Sequence, residues 1–134
     1  MILADTPVWI DYLRGTPSAA ADELDQRLAA REVLMCGPVA VELLTGVDAT
    51  ERMRLWEAFA AMGWADIGRS DWFVAGDLRA KLRERGVQVS LPDVLIAAAA
   101  VDRATLWTRD HDFEHIAQAL DSLDLKLLTA DPNT

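Results

Sequence analysis

Five acidic residues of this chain lie at the ends of apolar segments, where a solvated helix face would not place them. These residues are Asp5, Glu42, Asp93, Asp110 and Asp112. The first follows the apolar residues 1–4, and the last two follow the apolar residues 104–107. The other two lie in apolar helical segments that follow prolines. Carboxylates drawn from strand ends and helical segments across the chain suggest one shared acidic pocket. Such a pocket needs a cation to stay ionised, so a divalent metal site is the first hypothesis.

The size and composition of the chain indicate one globular domain. It has 134 residues, of which 51% are hydrophobic and 7% aromatic, and this excludes a disordered protein. We expect a single domain over residues 1–128 and a loose tail over residues 129–134. The net charge of −9 argues by itself against a nucleic-acid ligand. That objection weakens if the carboxylates hold metal ions, and an acidic protein also suits a basic partner.

Several features predict a cytoplasmic protein without a membrane segment. Asp5 and Asp11 interrupt any signal-peptide core, and no long uncharged apolar stretch is present. The single cysteine, Cys36, cannot form an internal disulfide, and its apolar neighbours predict a buried structural thiol.

The hydrophobic pattern alternates between short strands and amphipathic helices. The predicted strands cover residues 1–5, 33–36, 65–67, 104–108 and 123–127. The predicted helices cover residues 7–13, 18–30, 38–44, 50–62, 70–85, 92–101 and 112–120. Thr6 and Pro7 are expected to cap and begin the first helix, and Gly15 to end it. This order predicts parallel βαβ units in an α/β sandwich, whose ligand crevice lies at the carboxyl ends of the strands.

Four segments together resemble one protein family, the VapC-type toxins, which are PIN-domain ribonucleases. The segments are residues 2–15 (ILADTPVWIDYLRG), 38–46 (PVAVELLTG), 91–100 (LPDVLIAAAA) and 107–116 (WTRDHDFEHI). They occur in the family's order and span nearly the whole chain. The resemblance implies a PIN-like three-layer sandwich with a central, mainly parallel sheet flanked by helices. It also implies RNA hydrolysis with Mg²⁺ or Mn²⁺, inhibition by a VapB-type antitoxin, and a homodimer that joins a larger toxin–antitoxin assembly.

The resemblance also assigns roles to the acidic residues. Asp5 would be the anchor metal ligand, Asp93 would share the metal directly or through water, and Glu42 and Asp110 would complete the pocket. A cation in such a pocket neutralises phosphate oxygens and acidifies a bound water. The remaining metal-ligand candidate is Asp112. Either it or Asp110 is the fourth acid while the other caps the next helix, and the family motif favours Asp110.

Residues near the pocket are expected either to support its carboxylates or to have purely structural roles. Thr6 or Thr108 would hydrogen-bond a pocket carboxylate. Taken alone, Asp5 would be a helix cap, and Asp93 would be a first-turn acid that the helix dipole stabilises. The remaining polar and aromatic candidates are expected to be structural: an Asp11–Arg14 helix pair, the surface histidines His111 and His115, and the core or interface tryptophans Trp9, Trp56, Trp64, Trp72 and Trp107.

Two other functional classes fit an acidic α/β domain less well. A receiver-like signalling domain carries paired acids after its first strand and a lysine after a late one, whereas here Thr108 is followed by Arg109 and Asp110. A haloacid-dehalogenase-like phosphatase needs Asp-x-Asp, but residue 7 is Pro7. The RNA that is cleaved and the number of metal ions stay open. Helices 18–30 and 50–62 are predicted to contribute to a two-fold interface through part of one apolar set: Leu24, Leu28, Leu55, Trp56 and Phe59.

Overall fold

The computed structural model describes residues 1–128, which form an α/β fold around one sheet. Its strands are β1 (Ile2–Ala4), β2 (Val33–Met35), β3 (Gly63–Trp64), β4 (Thr105–Thr108) and β5 (Asp124–Leu127). The strand order is β3-β2-β1-β4-β5, and every pair is parallel. The predicted α/β class with a mainly parallel sheet is therefore confirmed. The predicted tail at residues 129–134 lies outside the described residues.

The helices alternate with the strands as the sequence pattern predicted. They are α1 (Thr6–Arg14), α2 (Ala19–Ala29), α3 (Gly37–Thr45), α4 (Ala49–Ala60), α5 (Arg69–Glu84), α6 (Leu91–Ala100) and α7 (Asp112–Ala119). Pro7, Pro38 and Pro92 each lie in the first turn of a helix, where a missing N–H is harmless. Within residues 1–128, none of the helices combines the length and apolar character needed to cross a lipid bilayer.

The third strand was predicted at residues 65–67 but lies two residues earlier. Gly63 pairs with Leu34, and Trp64 pairs with Met35. A Cβ atom built on Gly63 would lie 3.0 Å from Leu34 Cδ2, so the strands approach closely at a glycine. Strand propensity disfavours glycine, and for that reason the sequence pattern placed the strand in the more apolar segment that follows.

Three elements that carry or precede acidic residues, β1, β4 and α6, are largely buried. All of β1 is buried, as are Leu106 and Trp107 of β4. In α6 the residues 96–100 are at most 1% exposed. Strands and helices that are apolar on all sides pack at the centre of such a fold. The backbone that presents Asp5, Asp93 and Thr108 is consequently held by the core.

The helices predicted to form a two-fold interface are mostly turned inward, so that prediction is wrong for most of its residues. Leu24, Leu55 and Phe59 are 0%, 6% and 1% exposed and belong to the core. Leu28 packs against the core, and only Trp56 is well exposed. Helical periodicity identifies an apolar face but does not tell whether that face meets the protein's own sheet or another molecule.

Candidate active site

Asp5 lies directly after β1 and is buried, with 4% of its surface exposed. Its main-chain N–H donates to the carbonyl oxygen of Trp107 at 2.9 Å, which extends the β1–β4 pairing by one residue. Its Oδ1 accepts a hydrogen bond from the N–H of Thr6 at 2.7 Å. Asp5 is therefore the N-cap of α1, and the prediction that Thr6 caps this helix is wrong. The same carboxylate caps the helix and lies at the strand end.

Thr108 links the carboxylate of Asp5 to the following turn. Its hydroxyl donates to Asp5 Oδ2 at 3.0 Å and accepts from the N–H of Asp110 at 3.0 Å. Thr108 is completely buried, so water does not compete for either bond. The hydroxyl of Thr6, in contrast, is buried and has no hydrogen-bond partner among residues 1–128. Thr6 thus serves Asp5 through its main chain, and Thr108 serves it through its side chain.

Asp110 and Asp112 lie together at the start of α7, and both are exposed. Oδ1 of Asp110 accepts a hydrogen bond from the N–H of Asp112, the first residue of this helix, at 2.9 Å. The charge of Asp110 acts on both Asp5 and Asp93, whereas that of Asp112 acts on Asp93. Asp110 thus holds the start of α7 through this hydrogen bond, and its charge also acts on the buried carboxyl of Asp5.

Asp93 lies in the first turn of α6 and is half-buried. Its N–H donates to the hydroxyl of the N-cap Ser90 at 3.2 Å. Burial is the main cause that raises the pKa of Asp93. A hydrogen bond between its carboxyl and the Ser90 side chain opposes this, and the charges of Asp5, Asp110 and Asp112 raise the pKa further. Asp93 thus faces the other acids of the pocket.

Burial and neighbouring negative charges also raise the pKa of Asp5. Burial raises the pKa of the Asp5 carboxyl, the hydrogen bonds from Thr6 and Thr108 oppose this, and the charges of Glu42 and Asp110 raise it again. Glu42 itself is an exposed residue of α3 whose charge acts on Asp5, so we place it at the rim of the pocket. A cation in this pocket would relieve the repulsion and recover part of the desolvation energy.

The residues fit a hard divalent cation by their donor chemistry. Within residues 1–128, no three His, Cys, Asp or Glu side chains converge closely enough to form a ready-made metal cage. Mg²⁺ does not need one, because it keeps several waters and takes one or two carboxylates directly. The buried carboxylate of Asp5, the charge of Asp93 and the Thr6 hydroxyl, which has no partner among residues 1–128, suit that mode of binding.

Arg109 is a residue beside the site that sequence reasoning missed. Its Nη2 lies 2.6 Å from Asp11 Oδ2 and 3.5 Å from the carbonyl oxygen of Pro7, so it joins the turn after β4 to α1. The predicted Asp11–Arg14 pair is therefore wrong. Sequence neighbours favour the local pair, whereas the fold brings Arg109 from 98 residues away. Its position between Thr108 and Asp110 was the one available signal.

The histidines are surface residues, and three of the tryptophans pack in or against the core. His111 and His115 are exposed, and Nδ1 of the first lies 3.2 Å from Glu114 Oε2. Trp9 and Trp107 are core residues at 3% and 2% exposure, and Trp64 is half-buried. The single thiol, Cys36, is fully buried, and burial raises its pKa to about 11, so it is not a nucleophile at neutral pH.

Two apolar grooves meet at Glu42 on the rim of the pocket. The large groove has a volume of about 470 Å³ and is lined by residues of α3, β3, α5 and α6, including Val41, Trp72 and Leu91. The small groove has a volume of about 340 Å³ and lies between α1, α3 and α4. Val41, Trp72 and Leu91 are 64%, 55% and 52% exposed, so three exposed large apolar side chains lie together in this groove. Both grooves thus include a carboxylate whose charge acts on Asp5.

The fold and the site define a class of domain in which acidic residues gather at the carboxyl ends of a parallel sheet. Residues 2–119 match the family model of the PIN domain. This chain belongs to the PIN domain family.

Individual proteins resemble the chain over most of its length. It is 36% identical over 126 residues to ribonuclease VapC11 of Mycobacterium tuberculosis, covering 88% of this chain and 92% of the relative. It is 32% identical over 101 residues to ribonuclease VapC19 of the same species, covering 75% and 81%. A crystal structure of VapBC2 from Rickettsia felis bound to a DNA fragment from their promoter has the same fold, with a TM-score of 0.75 and 21% identity, covering 96% of this chain and all of that one.

Proposed function

We propose that this chain is a metal-dependent endoribonuclease that acts as the toxin of a VapBC-type toxin–antitoxin pair. The observation that carries the proposal is the buried carboxylate of Asp5, which is held by Thr108 and faces the charges of Asp110 and Glu42. The curated relatives named as ribonucleases support the reaction type.

The residues of the chain would divide the work by their position. When bound, Mg²⁺ or Mn²⁺ would neutralise the phosphate oxygens and lower the pKa of a bound water. Asp5 would be the principal ligand, because two hydrogen bonds fix its orientation and keep it ionisable despite its burial. Asp93 would be the second ligand. Glu42 and Asp110 would act at the solvated rim, where they would orient the attacking water or hold a hydrated ion.

Asp112 has a lesser role in this scheme. It lies beyond Asp110 at the start of α7, and its main-chain N–H is used by the carboxylate of Asp110. Its own charge adds to the repulsion on Asp93. We therefore place it outside the direct ligand set, as part of the field that attracts the cation.

The inhibitor that we propose is a small VapB-type antitoxin. Structures of VapBC pairs, including VapBC-5 of Mycobacterium tuberculosis, share the fold of this chain. An amphipathic segment of the antitoxin would lie in the small groove beside Glu42, and its disordered tail would order on binding. An arginine at its end suits the acidic pocket, because a guanidinium pairs carboxylates in a bidentate manner and stays charged.

A second copy of the chain is the proposed occupant of the large groove. Three exposed apolar side chains of this groove, Val41, Trp72 and Leu91, lie where a two-fold contact would cover them. The groove also contains Glu42, so a dimer formed there would place two acidic pockets along one RNA-binding surface.

Expression of the chain without a partner tests the proposed function in cells. We expect growth arrest with new RNA 5′ ends, and relief of both by Asp5→Ala or Asp93→Ala at equal protein levels. Glu42→Ala should relieve the arrest fully or nearly so. The matched control is Asp121→Ala, which removes an exposed carboxylate away from the site. Soluble Asp5→Ala protein that is as toxic as the parent would contradict the assignment.

A further inference from the structure

The end of α5 is the one dense basic segment in an acidic chain. Between residues 79 and 85 the sequence contains Arg79, Lys81, Arg83 and Arg85 with a single acid, Glu84, although the whole chain has a net charge of −9. RNA is repelled by such a chain unless local cations offset its field. A basic segment in this setting is therefore a candidate for contact with the phosphates of a substrate.

Two of these arginines line a groove that has room for a phosphate. The groove has a volume of about 160 Å³ and is bounded by the side of α5 and by the residues that follow its end: Arg79, Arg83, Val87, Gln88 and Val89. We call it the basic groove. Nε of Arg79 donates to the carbonyl oxygen of Val89 at 3.4 Å, so this arginine contacts the segment that forms the other wall of the groove. The lining side chains include two guanidinium groups and an amide, and no carboxylate.

The guanidinium groups of the basic groove are not committed to other ion pairs. Lys81, which does not line it, is paired with Asp77 at 2.7 Å. Among residues 1–128, neither Arg79 nor Arg83 has a carboxylate oxygen within ion-pair distance, whereas Arg27, Arg54, Arg103 and Arg109 each do. An arginine with unused donors binds phosphate oxygens in a bidentate manner.

The basic groove is close to the acidic pocket along the chain. Val89 belongs to the groove, Ser90 is the N-cap of α6, and Asp93 lies in the first turn of that helix. Four residues span at most about 14 Å, so a phosphate in the groove would lie within a few nucleotides of a bond cleaved at Asp93.

We propose that the basic groove binds a backbone phosphate of the RNA substrate and holds the strand beside the acidic pocket. This inference depends on the proposed ribonuclease function and adds a substrate contact to it. Arg83 is the main ligand, because it is exposed and has no ion-pair partner within the described part of the chain, and Arg79 is the second. The helix dipole also stabilises basic residues at a helix C-terminus, and this is the alternative explanation of the segment. That effect would stabilise the fold without changing the affinity for RNA.

The test compares Arg83→Gln with the control Arg54→Gln, which removes a 75% exposed arginine from α4. KM and kcat are measured at several salt concentrations on a fluorescent single-stranded RNA of mixed sequence. Arg83→Gln should raise KM about threefold, leave kcat unchanged, and reduce the slope of log KM against log salt by about 0.7, the value for one phosphate contact. Arg83→Lys should keep the slope, and Arg54→Gln should keep both KM and slope.

The outcomes separate this inference from the function on which it depends. If the wild-type chain cleaves RNA and Arg83→Gln shows the same KM and the same salt slope as the wild-type chain, the basic groove does not bind substrate. Equal effects of Arg83→Gln and Arg54→Gln would also overturn it, because they would indicate a general field. A further experiment adds inorganic phosphate at millimolar concentration as a competitor of the RNA. Competition that is lost in Arg83→Gln supports phosphate binding in the basic groove, whereas competition that persists in this variant contradicts it. No cleavage by the wild-type chain would contradict the ribonuclease function instead.

Discussion

At the scale of single residues, the site depends on Asp5, a carboxylate whose pKa is raised by its burial in the fold. Asp5 is buried among apolar side chains, and other acids face it. Its type and its place after an apolar strand were evident from the sequence. The hydroxyl of Thr108 was among the candidates, but its contact with Asp5 depends on the pairing of Ala4 with Trp107, which only the sheet register determines.

The repulsion between the acids should be measurable as stability in the metal-free protein. Burial and neighbouring charges raise the pKa of Asp93, so its ionised form destabilises the fold above that pKa. Asp93→Asn should therefore raise the melting temperature in EDTA at pH 7 by a few degrees and abolish cleavage. Mg²⁺ should raise the melting temperature of the parent more than that of the variant. The control Asp121→Asn should do neither, and a metal-free Asp93→Asn protein that melts below the parent would contradict this electrostatic account.

The hydroxyl of Thr108 should be required at its position. Thr108→Val keeps the shape of the side chain but leaves the N–H of Asp110 without its acceptor and removes one hydrogen bond from Asp5. We expect a loss of about 1–3 kcal/mol in the free energy of unfolding, measured in urea, and a large loss of cleavage. Thr108→Ser restores the hydroxyl and should recover most of both. Wild-type cleavage by Thr108→Val would show that this hydrogen bond does not orient Asp5.

At the scale of elements, helix starts present the acids to the pocket. Prolines and caps made the starts of α1, α3 and α6 predictable, because these residues act locally. Long-range pairs were not predictable in the same way. Asp11 was assigned to its neighbour Arg14, yet Arg109 reaches it across the fold. The close approach of Gly63 to Leu34 likewise displaced the predicted third strand.

The start of α5 offers a test of pH dependence away from the acidic pocket. Burial opposes the ionisation of Asp71, but the N–H of Gly68 and the guanidinium of Arg103 outweigh it and lower the pKa of this carboxyl. A lowered folded-state pKa stabilises the fold above the unfolded value of about 3.9, and this is lost as the pH falls through the folded value. Asp71→Asn should therefore destabilise the protein at pH 7 and lose that effect in acid. Asp77→Asn, which removes an exposed helix pair, is the control for urea unfolding across pH.

At the scale of the whole molecule, exposed apolar surface and negative charge lie side by side. Val41, Trp72 and Leu91 surround a groove that also contains Glu42. The sequence predicted an association surface but assigned it to the helices around Leu24 and Leu55, which the core uses instead. Composition indicates that apolar surface is in excess, and only the packed structure indicates where it remains.

Association of two copies can be measured directly. Trp72→Ala removes an aromatic ring from the large groove and should shift the chain from dimer to monomer in light scattering at tens of micromolar, a concentration on the order of a moderate dimer affinity. Met53→Ala removes an exposed apolar side chain from α4, outside that groove, and should leave the dimer intact. A parent chain that is monomeric at this concentration would contradict the proposed dimer.

The most direct test of the central claim is cleavage of RNA by the purified chain with and without metal. The substrate is total bacterial RNA, the readout is the appearance of new 5′ ends, and the compared proteins are the parent and Asp5→Asn. The account predicts cleavage by the parent in Mg²⁺ or Mn²⁺, none in excess EDTA, and none by folded Asp5→Asn under any condition. Undiminished cleavage in EDTA, or by Asp5→Asn, would contradict a metal-dependent ribonuclease centred on Asp5.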